Sequence, residues 1–93
     1  MIARWSDRAL RDLEEAHSFL NERNPPAARQ FVQRILASVE SVERFTLLGV
    51  HGRTLDTREY VVPHTRYIIV YRVGRESVQI LRVLHSSRNY PGD

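Results

Sequence analysis

Arg82, His85, Ser86, Ser87, Arg88, Asn89 and Tyr90 crowd the end of the chain, just past an apolar run, and carry most of the chemistry this sequence offers. An imidazole exchanges protons near neutral pH. A tyrosine hydroxyl can donate or accept, and guanidinium groups can neutralise a phosphate. General base, general acid and cations at the scissile phosphate are what RNA cleavage requires. His85, Arg82, Arg88 and Tyr90 are therefore the candidate catalytic set. The same residues at the end of a strand are equally an ordinary solvated edge. Nucleophilic catalysis by His85 with Ser86 or Ser87 lacks a third orienting group, and sequence neighbours rarely form such a pair. The four histidines, at 17, 51, 64 and 85, match no metal-ligand spacing, and there is no cysteine. No metal site and no cofactor are expected.

Charge adds a second clue. All 14 basic residues are arginine. Residues 1–45 hold seven arginines against seven acids, while residues 46–93 hold seven against four, so the whole net charge of +3 comes from the C-terminal half. A basic surface there points to an anionic partner, nucleic acid or acidic protein. Arginine suits bidentate contact with phosphate or carboxylate better than lysine. The absence of cysteine fits a reducing compartment. The first residues have no apolar signal core, and no apolar run approaches the ~20 residues of a membrane span. The expectation is a cytoplasmic protein with no membrane partner.

At 93 residues the chain is read as one domain, residues 1–93. Ile2–Trp5 is a strand candidate. Ser6 caps a helix over about 7–22, where Leu10, Leu13, His17 and Leu20 recur at helical steps. Asn24 caps a second helix with Pro25 at its first position, where a missing N–H costs nothing. Its stripe is Ala28, Phe31, Val32, Ile35, Leu36, Val39 and Val42. Residues 46–56 read as a loop. Strands follow at 58–62, 66–73 and 77–84, with turns at Pro63-His64-Thr65 and Gly74-Arg75. The fold class is α+β: a two-layer β-α-α-β-β-β plan with a helical hairpin packed on a small antiparallel sheet.

Residues 67–71 are apolar at every position, where a strand covered on one side should alternate. The helical hairpin can cover one face. The other is expected to expose Ile68, Val70 and Ile80 beside Arg72 and Arg82, as a surface built for a partner. The alternative is that segment 46–56 folds over this face and completes the core.

The run Thr57-Arg58-Glu59-Tyr60-Val61-Val62-Pro63, the strand 67–73 and the closing Ile80-Leu81-Arg82-Val83-Leu84-His85 with Arg88 resemble the RelE/ParE superfamily of type II toxin–antitoxin toxins. The likeness spans nearly the whole chain, including the strand into Ser6-Asp7 and the Pro25-Pro26-Ala27-Ala28 helix start. It is strongest to the ParE branch. The resemblance implies a toxin held in a hetero-oligomer by a co-encoded antitoxin, of ParD type with a ribbon-helix-helix fold and a disordered acidic tail. It also offers two activities. RelE-like members cleave mRNA on the ribosome and place cations near 59, 61 and 68, where this chain has Glu59, Val61 and Ile68. Arg88 matches, Tyr90 comes several residues early, and Arg58, Arg66 or Arg82 could compensate. ParE-like members block DNA gyrase by binding it. That reading is preferred, with Arg58, Ile68, Val70, Arg72, Arg82 and Arg88 as contacts to target or antitoxin. A plain interaction module without toxicity is the third reading. His64 and Arg66 replace a glycine and a proline usual in the family's turn.

Overall fold

In the computed structural model, which describes residues 1–92, the first strand, β1 (Ile2–Trp5), turns into a helix at Ser6. Helix α1 (Asp7–Arg23) begins there because the Ser6 hydroxyl oxygen accepts the Ala9 N–H at 3.0 Å, as an N-cap should. Asn24 repeats the device for α2 (Pro25–Arg44), its side-chain oxygen accepting the Ala27 N–H at 3.1 Å. Pro25 sits in the first turn, where its fixed φ favours entry to the helix.

The buried face of α2 is the expected stripe, with Ala28, Phe31, Ile35, Val39 and Val42 inside; Leu36 alone points outward and Val32 is half-buried. Full burial of each larger side chain contributes about 1.5–3 kcal/mol. In α1 the stripe is displaced. Ala9, Asp12 and Ala16 are buried, Leu13 and Leu20 are half-buried, and Leu10 is exposed. Two alanines let α1 approach its neighbours closely, and they bring a carboxylate inside with them.

Four further strands complete the sheet: β2 (Val50–His51), β3 (Arg58–Val61), β4 (Tyr67–Val73) and β5 (Ser77–His85). Their order is β1-β5-β4-β3-β2. The expected all-antiparallel sheet is corrected at its edge, because β1 pairs parallel with β5 from Ile2↔Ser77 to Trp5↔Ile80. The long connection that a parallel pair requires runs through both helices and the three intervening strands. The segment read as a loop contributes β2, paired with β3 at Val50↔Glu59 and His51↔Arg58. In the β3–β4 turn, His64 adopts φ 63°, a left-handed backbone that favours glycine, which the family usually has there.

The exposed apolar face also needs correction. Val70 and Ile80 are fully buried, Arg82 is nearly so, and Ile68 is half-buried; of the five residues, Arg72 alone is exposed. The register explains Ile80: Val70 pairs with Arg82, yet Tyr71 pairs with Ile80, so Leu81 is an extra residue in β5. That bulge turns Ile80 toward the helices, into one cluster with Phe31, Ile35, Ile69, Tyr71, Val78 and Val83. The bulged Leu81 carbonyl accepts the Ser6 hydroxyl at 3.0 Å, which ties the start of α1 to the irregularity.

Candidate functional site

The end of β5 is where the cleavage set should converge. His85 packs edge-on against Tyr67, with centroids 5.3 Å apart, and Tyr67 meets Phe31 the same way at 4.7 Å. Burial pushes the Tyr67 phenol up, with nearby Arg88 opposing the shift. His85 Nδ1 accepts the Ser87 N–H at 3.1 Å and lies 2.7 Å from the Ser87 hydroxyl. Accepting there requires that nitrogen to be bare, so the proton of the neutral ring sits on Nε2. The imidazole thus closes the turn that follows β5. His85 and Arg88 share a shallow pocket of about 230 Å³ with Tyr67 and Phe19, but Asp12 and Glu15 line it too. Glu15 there opposes a phosphate rather than welcoming one, while the Asp12 carboxylate is already answered by Arg82.

Arg82 lies within a buried ion pair. Its Nε donates to Asp12 Oδ2 at 2.8 Å and its Nη2 to Asp12 Oδ1 at 3.1 Å. Asp12 Oδ2 also accepts the Val83 N–H at 2.9 Å. The reason is topological: β1 pairs with β5 no further than Ile80, so the β5 edge beyond it needs another acceptor. Asp12 supplies one from α1 and draws Arg82 with it. The remaining ion pair of this carboxylate, with Arg8 at 3.7 Å, is looser.

Tyr90 is drawn away from His85. Its carbonyl accepts from Arg53 at 3.4 Å, its hydroxyl lies 3.4 Å from the Thr54 hydroxyl, and its ring has Arg53 and Arg82 at 5.5 and 5.9 Å. Arg53 in turn holds Glu59, Nη2 to Oε1 at 3.1 Å, and its backbone N–H donates to Glu59 Oε2 at 2.8 Å. Burial raises the Glu59 carboxyl, but these bonds outweigh it and hold the group below its ordinary value. Glu59, Val70 and Arg82 are cross-strand neighbours in one row. Arg53, Glu59, Tyr90 and Arg82 therefore close over Val70, which is why that side chain is inside. The segment around Arg53 and the C-terminal stretch cover the face that was expected to await a partner.

Arg58 and Arg72 do come together, at the other end of the sheet. They line a groove of about 550 Å³ with Leu47, His51, Leu55 and Val73. Leu55 is 86% exposed and Leu47 68%. One Arg58 N–H, from Nη1, donates to the Gly49 carbonyl at 2.7 Å. The loop is also pinned by Tyr71, whose hydroxyl donates to the Thr46 carbonyl and accepts the Gly49 N–H, both at 2.8 Å. Gly49 has to be small here, because a Cβ would lie 2.9 Å from both the Glu59 carbonyl oxygen and the Tyr71 ring.

Of the predicted site residues, then, His85 and Arg88 share one corner, Arg58 and Arg72 share a groove, and Arg82 and Tyr90 are engaged inside the protein. Val70 touches no solvent and Ile68 is half-buried. Among the described residues, no three His, Cys, Asp or Glu side chains gather as a metal site. Among the described residues, no helix is long and apolar enough to cross a membrane. The residues missed at the level of sequence are Asp12, Arg53, Tyr71 and the leucines at 47 and 55. Asp12 lies off the stripe read for α1, on the Ala9–Ala16 face that the structure buries instead.

Comparison with known proteins agrees with this architecture. Residues 3–90 match the family model for the ParE toxin of the type II toxin–antitoxin system parDE. A toxin designated Y4kP from Sinorhizobium fredii is 39% identical over 88 residues, covering 95% of this chain and 91% of the relative. Toxin RelE3 of Caulobacter vibrioides is 33% identical over 81 residues, covering 85% and 87%. A chain from the chromosomal ParDE TA system of P. aeruginosa superposes with a TM-score of 0.82 at 22% identity, over 91% of this chain and 95% of the other, and so shares the fold. By sequence and by fold, this chain belongs to the ParE toxin family of type II toxin–antitoxin systems.

Proposed function

We propose that this toxin acts in the cytoplasm by binding DNA gyrase, without making or breaking a bond itself, and that a ParD-like antitoxin neutralises it by direct binding in a hetero-oligomer. The observation that carries the reading is the fate of the cleavage set. A phosphate-cleaving centre needs cations that are free to meet the developing charge. Arg82 is neutralised by Asp12 inside the protein, Tyr90 packs against Arg53, and His85 shares its pocket with Glu15. The surface that remains combines exposed leucines with arginines, which serves recognition rather than catalysis.

The test assays gyrase supercoiling and ribosome-bound mRNA cleavage side by side with the purified chain. Supercoiling should fall, cleaved DNA should accumulate, and mRNA should stay whole. Intact supercoiling together with cut mRNA sinks the proposal in favour of a RelE-like ribonuclease. Adding a purified ParD-like antitoxin should restore supercoiling and comigrate with the toxin on a sizing column.

A further inference from the structure

One row of side chains crosses the face of the sheet that the helices leave open. Arg4 on β1 pairs with Gln79 on β5, and Gln79 pairs with Arg72 on β4, so the three stand side by side across adjacent strands. All three are exposed, whereas their neighbours Tyr71, Val78 and Ile80 are buried in the cluster beneath the helices. Alternation along each strand therefore turns the row to the opposite face. Arg75, exposed in the turn between β4 and β5, adds a third guanidinium beside it. Among the described residues, none of these three arginines has an ion pair. Of the acids nearby, Glu59 is held by Arg53 and Glu43 accepts the Ala3 N–H, which leaves Glu76 in the turn. The row is thus a line of donors with a net positive charge.

We propose that this row binds the sugar–phosphate backbone of duplex DNA. Two strand spacings separate Arg4 from Arg72, about 10 Å, and over that length one DNA strand presents about three phosphates, one per ~3.4 Å of axis. Guanidinium groups meet phosphate oxygens bidentately. An amide such as that of Gln79 contacts the backbone as well. Composition separates DNA from a protein partner. Protein interfaces are built on an apolar, often aromatic centre with a polar rim. DNA interfaces are more polar and much more positive. The row is polar on all three strands, with Ile2, on the outermost strand, as the exposed apolar residue beside it. It holds no aromatic ring on which an unstacked base could lie, which favours a duplex over a single strand. The choice of DNA over RNA rests on the gyrase reading, and it sets the toxin against the DNA that its target holds.

The probe is a short fluorescein-labelled DNA duplex of mixed sequence, titrated into the intact protein by fluorescence anisotropy at several salt concentrations. Contacts from Arg4, Arg72 and Arg75 should give a slope of log K against log salt of about −2.7. Arg4→Ala and Arg72→Ala should each make that slope shallower by about 1. Gln79→Glu sets a carboxylate between the two guanidinium groups and should weaken binding at least about tenfold. All three side chains are exposed, so unchanged circular dichroism and melting will show that the fold survives. Arg29→Ala, on the exposed side of α2, should leave the slope as it is. Failure of the unaltered protein to bind overturns the inference. So does a slope that Arg29→Ala moves as far as Arg4→Ala, the mark of diffuse attraction. Better competition by single-stranded DNA or by duplex RNA also overturns it. Gyrase supercoiling, measured on the same preparation, reads the toxin's action separately. Duplex binding with supercoiling untouched upholds the row and refutes the gyrase proposal alone, and inhibited supercoiling without duplex binding does the reverse.

Discussion

Removing the Asp12 carboxylate is the most informative perturbation, because the ion pair with Arg82 decides between structure and catalysis for that arginine. Asp12 and Arg82 are each 8% exposed, so neither charge is left to water. Deleting one member of such a pair strands the other, at a cost of about 3–5 kcal/mol. The Val83 N–H loses its acceptor as well, so the upper part of that range is expected for Asp12→Ala. In a domain of this size each kcal/mol shifts the melting temperature by roughly 4–8 °C. A fall of roughly 16–40 °C should follow, measured by circular dichroism and checked by urea denaturation. The double variant Asp12→Leu with Arg82→Met removes both charges at similar volume and should regain most of the loss, since apolar replacement of a buried pair is often neutral or better. A loss below about 1 kcal/mol for Asp12→Ala, the range of an exposed pair, refutes the reasoning. So does a double variant no more stable than the single one. If the double variant also inhibits gyrase undiminished, Arg82 is excluded as a contact to the target.

Further outcomes follow from the loop that Tyr71 and Glu59 hold in place. Tyr71→Phe deletes the acceptor of the Gly49 N–H and should cost about 1–3 kcal/mol at neutral pH in urea denaturation. Burial raises the Tyr71 phenol, so its stabilising contribution is complete below about pH 10 and is lost as pH rises through the raised value. The gap between Tyr71→Phe and the parent should therefore narrow in alkali; a gap constant up to pH ~11 contradicts the assignment. Glu59 is shifted the other way: burial raises it and Arg53 more than offsets this, so its contribution holds above about pH 4.3 and disappears as pH falls through the lowered value. Melting of Glu59→Gln and parent should converge only below about pH 4, and convergence already at pH 6 would count against the Arg53 bonds. Gly49→Ala forces its Cβ against the Glu59 carbonyl and the Tyr71 ring, at a cost of about 1–3 kcal/mol, and an unchanged urea midpoint would show that the loop yields freely.

How far the sequence foretells this molecule depends on the distance over which each feature is set. The helix starts were legible, because Ser6 and Asn24 act on N–H groups three residues away and leave a local signature. The β4–β5 hairpin was legible for the same reason. The parallel seating of β1 was not, since four residues carry no period that names a partner 75 positions later. The bulge at Leu81 was equally hidden. It moves Ile80 from one face to the other, and a simple alternation of side chains has no means of announcing an inserted residue. Asp12 was overlooked for a related reason: it lies off the Leu10–Leu13–His17–Leu20 stripe and reads as a solvated acid until Arg82 and the Val83 N–H are brought beside it.

These corrections bear on function as well as on fold. The doubly apolar strand was read as a surface awaiting a partner, yet the protein supplies its own cover through Arg53, Glu59 and Tyr90. Much of what remains outside is the apolar side of segment 45–55, where Phe45, Leu47, Val50 and Leu55 are each at least 60% exposed, with Ile2 and Val61 exposed elsewhere. The basic excess follows the same division. Arg82 and Arg53 are answered by carboxylates, whereas Arg58 and Arg72 face the groove beside those leucines. Apolar surface left open costs stability unless something binds it, and a cation such as Arg72, with no acidic partner among the described residues, is stabilised by an anion. The protein partner proposed above can answer both demands at one place. An RNA phosphate satisfies only the second, and at the His85 corner it would face Glu15.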